Sequence, residues 1–252
     1  MGAALARAAA KAVPAGNIYL TNRTMAKAEA LAAELGAKAC SAKECAGADF
    51  IFLGVKPQQM EALFEEIRPA LAGRKDAVLV TMAAGLTMAK IRSMAGENLP
   101  VIRIMPNTPV SIGKGIILYT SDGVSEAQLD EFKKAAEAAG MLSPIAEKLI
   151  DAGSAVSGCG PAFVDLFIEA LADGAVACGI PRKDALAYAA AMTEGAARLV
   201  LESGKHPAEL KDAVCSPGGT TIEGVKALED GAFRSTVMSA VIAAYKANEK
   251  FK

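Results

Sequence analysis

The chain has 252 residues, 52% of them apolar and 22% charged, with a formal net charge of −1 at neutral pH. That length holds one large domain or two modest ones, and near-neutrality removes any global electrostatic basis for binding nucleic acid or an anionic membrane. His206 is the sole histidine, so a histidine-based metal site or a Ser-His-Asp triad is not expected, and no metal is assigned.

The opening "MGAALARAAAKA" is an Ala-rich helix with Gly2 at its start. Gly at a helix N-terminus suits close approach of a phosphate, but such a helix is normally fed by a strand. Apolar and β-branched runs predict strands over 17–22, 48–55, 77–85, 99–106 and 115–121. Helical spacing of apolar residues predicts helices over 24–36, 56–71 and 87–96. Alternation of helices with wholly apolar strands predicts parallel pairing, helices on both faces, and ligands beyond the carboxyl ends of the strands. The fold class read here is α/β, a doubly wound sheet over 1–146. From about residue 147 the texture changes to long helical patterns with no strand signal, predicting an all-α domain over 147–252. Its stretch 158–180 is rich in small apolar residues, which points to burial against a second copy of the chain.

Five cysteines form no CxxC pattern and read as buried, reduced thiols of a cytoplasmic protein. No apolar run reaches the roughly 18 residues of a membrane span, and the opening lacks a signal-peptide pattern.

Several stretches carry chemistry. After the strand at 17–22 stand Asn22, Arg23 and Thr24, where a dinucleotide fold meets the adenosine ribose. An acid there would favour a free ribose; Arg23 instead offers a donor fork suited to a 2′-phosphate, although it reads equally as a solvated helix start. "GVKP" (54–57), "MAAG" (82–85) and "MPNTP" (105–109) each leave an apolar strand through small residues or Pro, forming a crevice that admits a flat ring or pyrophosphate. Lys56 offers charge to that crevice or to solvent. In "VCSPGGTTIEGV", Thr220 or Thr221 can cap a new helix, and free N–H groups from Gly218 to Thr221 make either an anion site or an ordinary capped turn. "SGCGPAF" (157–163) breaks a helix at Gly158, Gly160 and Pro161. Glu147 and Asp151, one turn apart, read either as acids or as a solvated helix start.

"NRT", "FLGVKP", "MAAG", "RIMPNTP", "SGCGPAF", "KHPAELKD" and "VCSPGGTTIEGV" together resemble the pyrroline-5-carboxylate reductase family over essentially the whole chain. The resemblance implies a Rossmann-type domain, an all-α C-terminal dimerisation domain, and NADPH-dependent reduction of (S)-1-pyrroline-5-carboxylate to L-proline. It also implies a homodimer and a ring of five dimers, a homodecamer. Carried over by motif, the NADP(H) site comprises Gly2, Asn22, Arg23, Thr24, Ser41, Val55, Lys56, Pro57, Met82, Ala83, Ala84 and Asn107. The substrate site comprises Glu147, Ser216, Gly218, Gly219, Thr220 and Thr221. There the N–H groups of Gly219 and Thr220 hold the substrate carboxylate, and the Thr221 hydroxyl, the implied catalytic group, reaches the ring nitrogen. A protonated imine is already electrophilic, so orientation counts for more than acid catalysis.

The family opens with a strand running into "GxGxMG", and here only "MG" is present. Gly2 is therefore expected to be the third glycine of the fingerprint, and the sheet to lack its first strand. Either the sequence as written starts roughly ten residues late or the chain binds NADPH with half a phosphate loop. Gly204 and Lys205 precede the "HP" at 206–207, so no catalytic role is expected there. The alternatives are a scaffold or fragment with weak cofactor binding, and a reductase of the β-hydroxyacid dehydrogenase type. The second is disfavoured because "GCGPAFVDLFIEALADGA" contains no Lys.

Overall fold

The computed structural model describes residues 1–248. Helix α1 (Gly2–Ala9) leads to strand β1 (Tyr19–Leu20), α2 (Met25–Leu35), β2 (Lys38–Ala39), α3 (Ala42–Cys45) and β3 (Phe50–Leu53). Then follow α4 (Met60–Leu71), β4 (Val78–Thr81), α5 (Met88–Ala95), β5 (Val101–Pro106), β6 (Gly115–Asp122), α6 (Glu126–Ala136), β7 (Gly140–Pro144) and α7 (Ile150–Ser157). Alternation along β4 and β5 builds two cores. Leu79 and Val101 face Phe64, Ile67, Leu71 and Ile91 on one side; Val78, Val80, Ile102 and Ile104 face Leu5, Ala8, Phe132 and Ala136 on the other. Both faces are covered by helices, as a doubly wound sheet requires.

The sheet is incomplete, as expected, and departs from the expectation in strand direction. It is split: β1 and β2 form a parallel pair of their own, beside a five-stranded sheet of order β3-β4-β5-β6-β7. Both β1 and β3 therefore present an unpaired edge, with Tyr19 and Phe52 about 40% exposed. It is also not uniformly parallel. β3, β4 and β5 are, but β6 runs antiparallel to β5, with Arg103 opposite Thr120. Only residues 107–114 join β5 to β6, as one 3₁₀ turn over Thr108–Ile112, and a parallel return needs a dozen or more residues.

The β6–β7 pairing rests on two glycines. Gly140 has φ +129, and a Cβ there would stand 2.7 Å from the Gly115 nitrogen and collide with the Gly115 carbonyl oxygen. At Gly115 a Cβ would meet Val110 and stand 2.8 Å from Asn107 Oδ1. Gly140→Ala is expected to cost about 1–3 kcal/mol of stability through overpacking and backbone strain; an unfolding midpoint unchanged in urea would refute it.

The first compact unit is Met1–Cys159 with the chain from Ala244 onward, and the second is Gly160–Ala243. The first runs past residue 146 because α7 packs on β5 and β6, with Ile150 and Ala155 fully buried. The second unit contains α8 (Gly160–Ala177), α9 (Arg182–Ser203), α10 (Pro207–Ala213), α11 (Thr220–Asp230) and most of α12 (Phe233–Asn248). Its buried core is only Ala172, Ala185 and Ala189, while Leu166, Met192, Leu201 and Met238 are half or more exposed. The stretch Glu147–Ala177 is long and apolar enough, by length and composition, to cross a membrane. The absence of a long apolar run in the sequence did not anticipate this. The stretch is broken, however, where α7 ends at Ser157 and α8 starts at Gly160. None of the five cysteines is fully buried; four are intermediate and Cys178 is exposed, contrary to the expectation of buried thiols.

Candidate active site

In the first unit the residues expected to hold a dinucleotide lie where strands β1 to β5 end and where α1 begins. Asn22 Oδ1 accepts the Thr24 N–H at 2.9 Å, shaping the turn after β1 and leaving Arg23 exposed. Thr24 is the N-cap of α2. After β2, Ser41 caps α3 in a reciprocal capping box: its hydroxyl accepts the Glu44 N–H at 3.3 Å, while the Glu44 carboxylate accepts the Ser41 N–H at 2.9 Å and the Ser41 hydroxyl at 2.7 Å. Those hydrogen bonds hold the Glu44 carboxyl below its ordinary range. After β3, Val55 is half-buried, Lys56 is exposed, and Pro57 opens a 3₁₀ turn. After β4, Met82 is half-buried, the Ala83 N–H donates to Thr81 Oγ1 at 3.3 Å, and Ala84 is exposed. After β5, Asn107 is buried, and its Oδ1 accepts the Ile116 N–H at 2.9 Å, tying the turn to β6. Gly2 is the exposed first residue of α1.

NADP(H) fits these residues. Nothing lies within 4 Å of a Cβ built at Gly2 or Gly54, so the backbone there is open to a ligand. The exposed side chains on the same edge include two cations, Arg23 and Lys56, suited to a polyanion. A shallow depression of about 380 Å³ lined by Tyr119, Leu129 and Pro144 lies elsewhere in this unit and touches none of the expected site residues.

Glu147 and Asp151 belong to the first unit; Asp151 is buried and Glu147 is partly so, its side chain 31% exposed. Glu147 Oε1 accepts the Met88 N–H at 2.7 Å, at the start of α5, and stands 3.6 Å from an Arg103 terminal nitrogen. Asp151 Oδ1 accepts from the other terminal nitrogen of Arg103 at 3.0 Å. The Arg103 side chain is 3% exposed, and its Nε has no hydrogen-bond partner among the described residues. Sequence reasoning passed over Arg103, whose signal was a lone cation inside the apolar run "LPVIRIMP".

In the second unit, the "SPGG" turn precedes α11. Gly218 adopts φ +64, and the Gly219 N–H donates to the Ser216 carbonyl at 3.0 Å. A Cβ on Gly219 would displace the rotatable Ser216 Oγ and stand 3.2 Å from the Ser216 carbonyl oxygen, whereas Gly218, at φ +64, is the position that requires glycine. The N-cap of α11 is Gly219, without a side-chain cap. Neither Thr220 nor Thr221 caps the helix, contrary to expectation. They are its first two residues, so their N–H groups have no intrahelical acceptor and their hydroxyls are not committed to a cap. His206 Nδ1 accepts the Ala208 N–H at 3.2 Å as the N-cap of α10.

The family pattern described as "Pyrroline-5-carboxylate reductase dimerisation" matches residues 147–251. "NADP oxidoreductase coenzyme F420-dependent" matches residues 1–85. The chain is 40% identical over 238 residues to pyrroline-5-carboxylate reductase of Escherichia coli K12, covering 93% of this chain and 88% of that protein. It is 42% identical over 199 residues to the Arabidopsis thaliana enzyme of the same name, covering 79% and 71%. Among solved structures, pyrroline carboxylate reductase of Plasmodium falciparum with NADP bound superposes with TM-score 0.88 at 31% identity, covering 100% of this chain and 94% of the other. By this similarity, which takes in both the strand-end crevice and the SPGG turn, the chain belongs to the pyrroline-5-carboxylate reductase family.

Proposed function

We propose that the chain is an oxidoreductase that uses NADPH to reduce (S)-1-pyrroline-5-carboxylate to L-proline, the closing step of proline biosynthesis. Family membership over 93% of the chain carries the reading. In it, the residues at the ends of β1 to β5 hold NADPH, which supplies the hydride. Arg23 donates to the 2′-phosphate; Val55, Pro57, Met82, Ala83 and Ala84 give a close, small-residue surface to the rest of the cofactor, with Lys56 offering charge; and Gly2 opens the N-terminus of α1 to the pyrophosphate. Thr24, Ser41 and Asn107 shape the turns around it. The loop 216–221 takes the substrate. The Gly219 N–H, expected to hold the carboxylate together with that of Thr220, is instead spent on the Ser216 carbonyl; the Thr220 and Thr221 N–H groups pair with the carboxylate, and the Thr221 hydroxyl bonds the ring nitrogen as it becomes an amine. Ser216, Gly218 and Gly219 hold the loop in the shape this needs. Glu147 supports the site by fixing the start of α5.

The decisive test is an NADPH fluorescence titration followed by a pyrroline-5-carboxylate reduction assay. Binding with turnover upholds the reading; binding without turnover points to another imine or carbonyl substrate, and no binding to a scaffold. Arg23→Ala is expected to weaken NADPH by about tenfold, leaving NADH nearly unchanged, since one charge-assisted bond is lost. Equal losses for both cofactors would remove Arg23 from the phosphate site.

We also propose that the chain works as a homodimer, with five dimers forming a ring, in the cytoplasm. Supporting the dimer is the second unit's small core beside large exposed side chains such as Leu166 and Leu201, a combination that a lone domain of this size does not sustain. Supporting the compartment are five cysteines that are all free. Leu201→Asp on α9 is expected to shift the mass in solution toward the monomer, read by light scattering; an unchanged mass would place the interface elsewhere.

A further inference from the structure

Cys40 and Cys45 flank Ser41 and its helix α3, and their sulfurs are 3.3 Å apart, both half-buried. Their backbones are anchored from opposite sides. The Cys40 N–H donates to the Leu20 carbonyl at 3.0 Å, and Cys45 N–H to the Ser41 carbonyl at 3.0 Å. Just beyond Cys45, Arg74 donates to the carbonyls of Ala46 and Ala48 at 2.8 and 3.0 Å. A disulfide needs the sulfurs roughly 1.3 Å closer, near 2.0 Å, so closing the bond draws the two anchored ends of this short segment toward each other.

We propose that Cys40 and Cys45 form a dithiol modification site, which a low-molecular-weight disulfide such as glutathione disulfide converts to an intramolecular bridge, weakening NADPH binding. The second half of this proposal rests on the cofactor reading above, because the bridge closes around Ser41. Burial, with the hydrogen bond to Cys40 adding to it, pushes the Cys45 thiol up to about 12, so Cys40 is the entering nucleophile. Its thiolate attacks one sulfur of glutathione disulfide and expels a glutathione thiolate. Cys45 then yields its proton to solvent and attacks the Cys40 sulfur of the mixed disulfide, expelling the second glutathione. Two protein thiols are oxidised and one disulfide is reduced to two thiols. The closed ring pulls both ends of the capping box together, so the loop that Ser41 organises no longer keeps its geometry.

The test uses the full chain, reduced and then treated with glutathione disulfide. Digestion with trypsin without reductant is expected to yield residues 39–43 linked to 44–74 through Cys40 and Cys45, with the link lost on adding dithiothreitol. NADPH affinity of the bridged chain should fall about fivefold against the reduced chain, the scale of one lost helix cap, and recover on reduction. Cys45→Ser should stop at a glutathione adduct on Cys40 with no linked peptide. Recovery of both cysteines as free thiols or as separate adducts would overturn the site, and a bridge that leaves NADPH affinity unchanged would overturn its effect on the cofactor. If the reduced chain itself binds no NADPH, the proposed function fails instead, and the linked peptide still decides the dithiol.

Discussion

Replacing Arg103 with alanine is expected to remove about 3–5 kcal/mol of unfolding free energy, the usual cost of breaking a buried ion pair from one side. Arg103 lies within β5, between β4 and β6, with its side chain 3% exposed. A guanidinium so placed is stable only because it faces two carboxylates, Asp151 at 3.0 Å and Glu147 at 3.6 Å. Those partners belong to the turn after β7 and to α7, and Glu147 also receives the first N–H of α5. Truncation therefore removes the cation facing two acids and loosens two helices from the sheet at once. Lysine should not rescue it, because a point charge cannot reproduce a fork that serves two acceptors. Arg103→Met keeps most of the volume and separates packing from charge; it too should lose most of the stability. By contrast Arg198 and Glu202, both more than half exposed, make a pair worth about 0–1 kcal/mol at most. A urea midpoint for Arg103→Ala within 1 kcal/mol of the parent would show that the cluster contributes little.

How far the sequence could be read follows from the kind of signal each element carries. β4, β5 and most of β6 were legible because they are buried between two helical layers, and burial on both faces leaves an unbroken apolar run; β3 kept such a run although Phe52 is exposed. β2 and β7 were not. Lys38–Ala39 is two residues long, and "GMLSP" has no β-branched residue and ends on Pro144, so only pairing with a neighbour makes either a strand. α6 was missed although Ser125 and Gln128 form a capping box, a signal that was there to be used. Strand direction was the larger error: the apolar texture of β6 says it is buried, but only the short link over 107–114 says it must turn back. At the site, positions defined by backbone were readable, because Gly218 at φ +64 and the bare Gly2 and Gly54 leave a mark in residue type. Side-chain commitments were not. Asn107 and Ser41 look like ligand-facing polar groups in the sequence, yet each spends its oxygen on the fold, and Glu147 and Asp151 looked solvated until Arg103 was seen between them. A pair interaction across 48 residues leaves no periodicity to read.

Thr221→Ala is expected to lower kcat/KM for pyrroline-5-carboxylate by about ten- to a hundredfold, the range for a hydrogen bond to a group that is or becomes charged. NADPH affinity should stay near normal, because Thr221 is not among the residues proposed to hold the cofactor. As the second residue of α11, with Gly219 as N-cap, Thr221 has no capping duty, so its removal should cost little stability. That separates it from Gly218→Ala, where a side chain would be strained at φ +64 and the turn would deform, raising KM as well as lowering kcat. Thr221→Ser is the informative partner: it keeps the hydroxyl, loses only a methyl group, and should recover most of the activity. If the serine variant is as impaired as the alanine one, the methyl group matters by packing and the hydroxyl is not the group that meets the ring nitrogen. If the alanine variant turns over like the parent, the chain reduces its imine through proximity and hydride donation alone, and the loop's contribution narrows to holding the carboxylate.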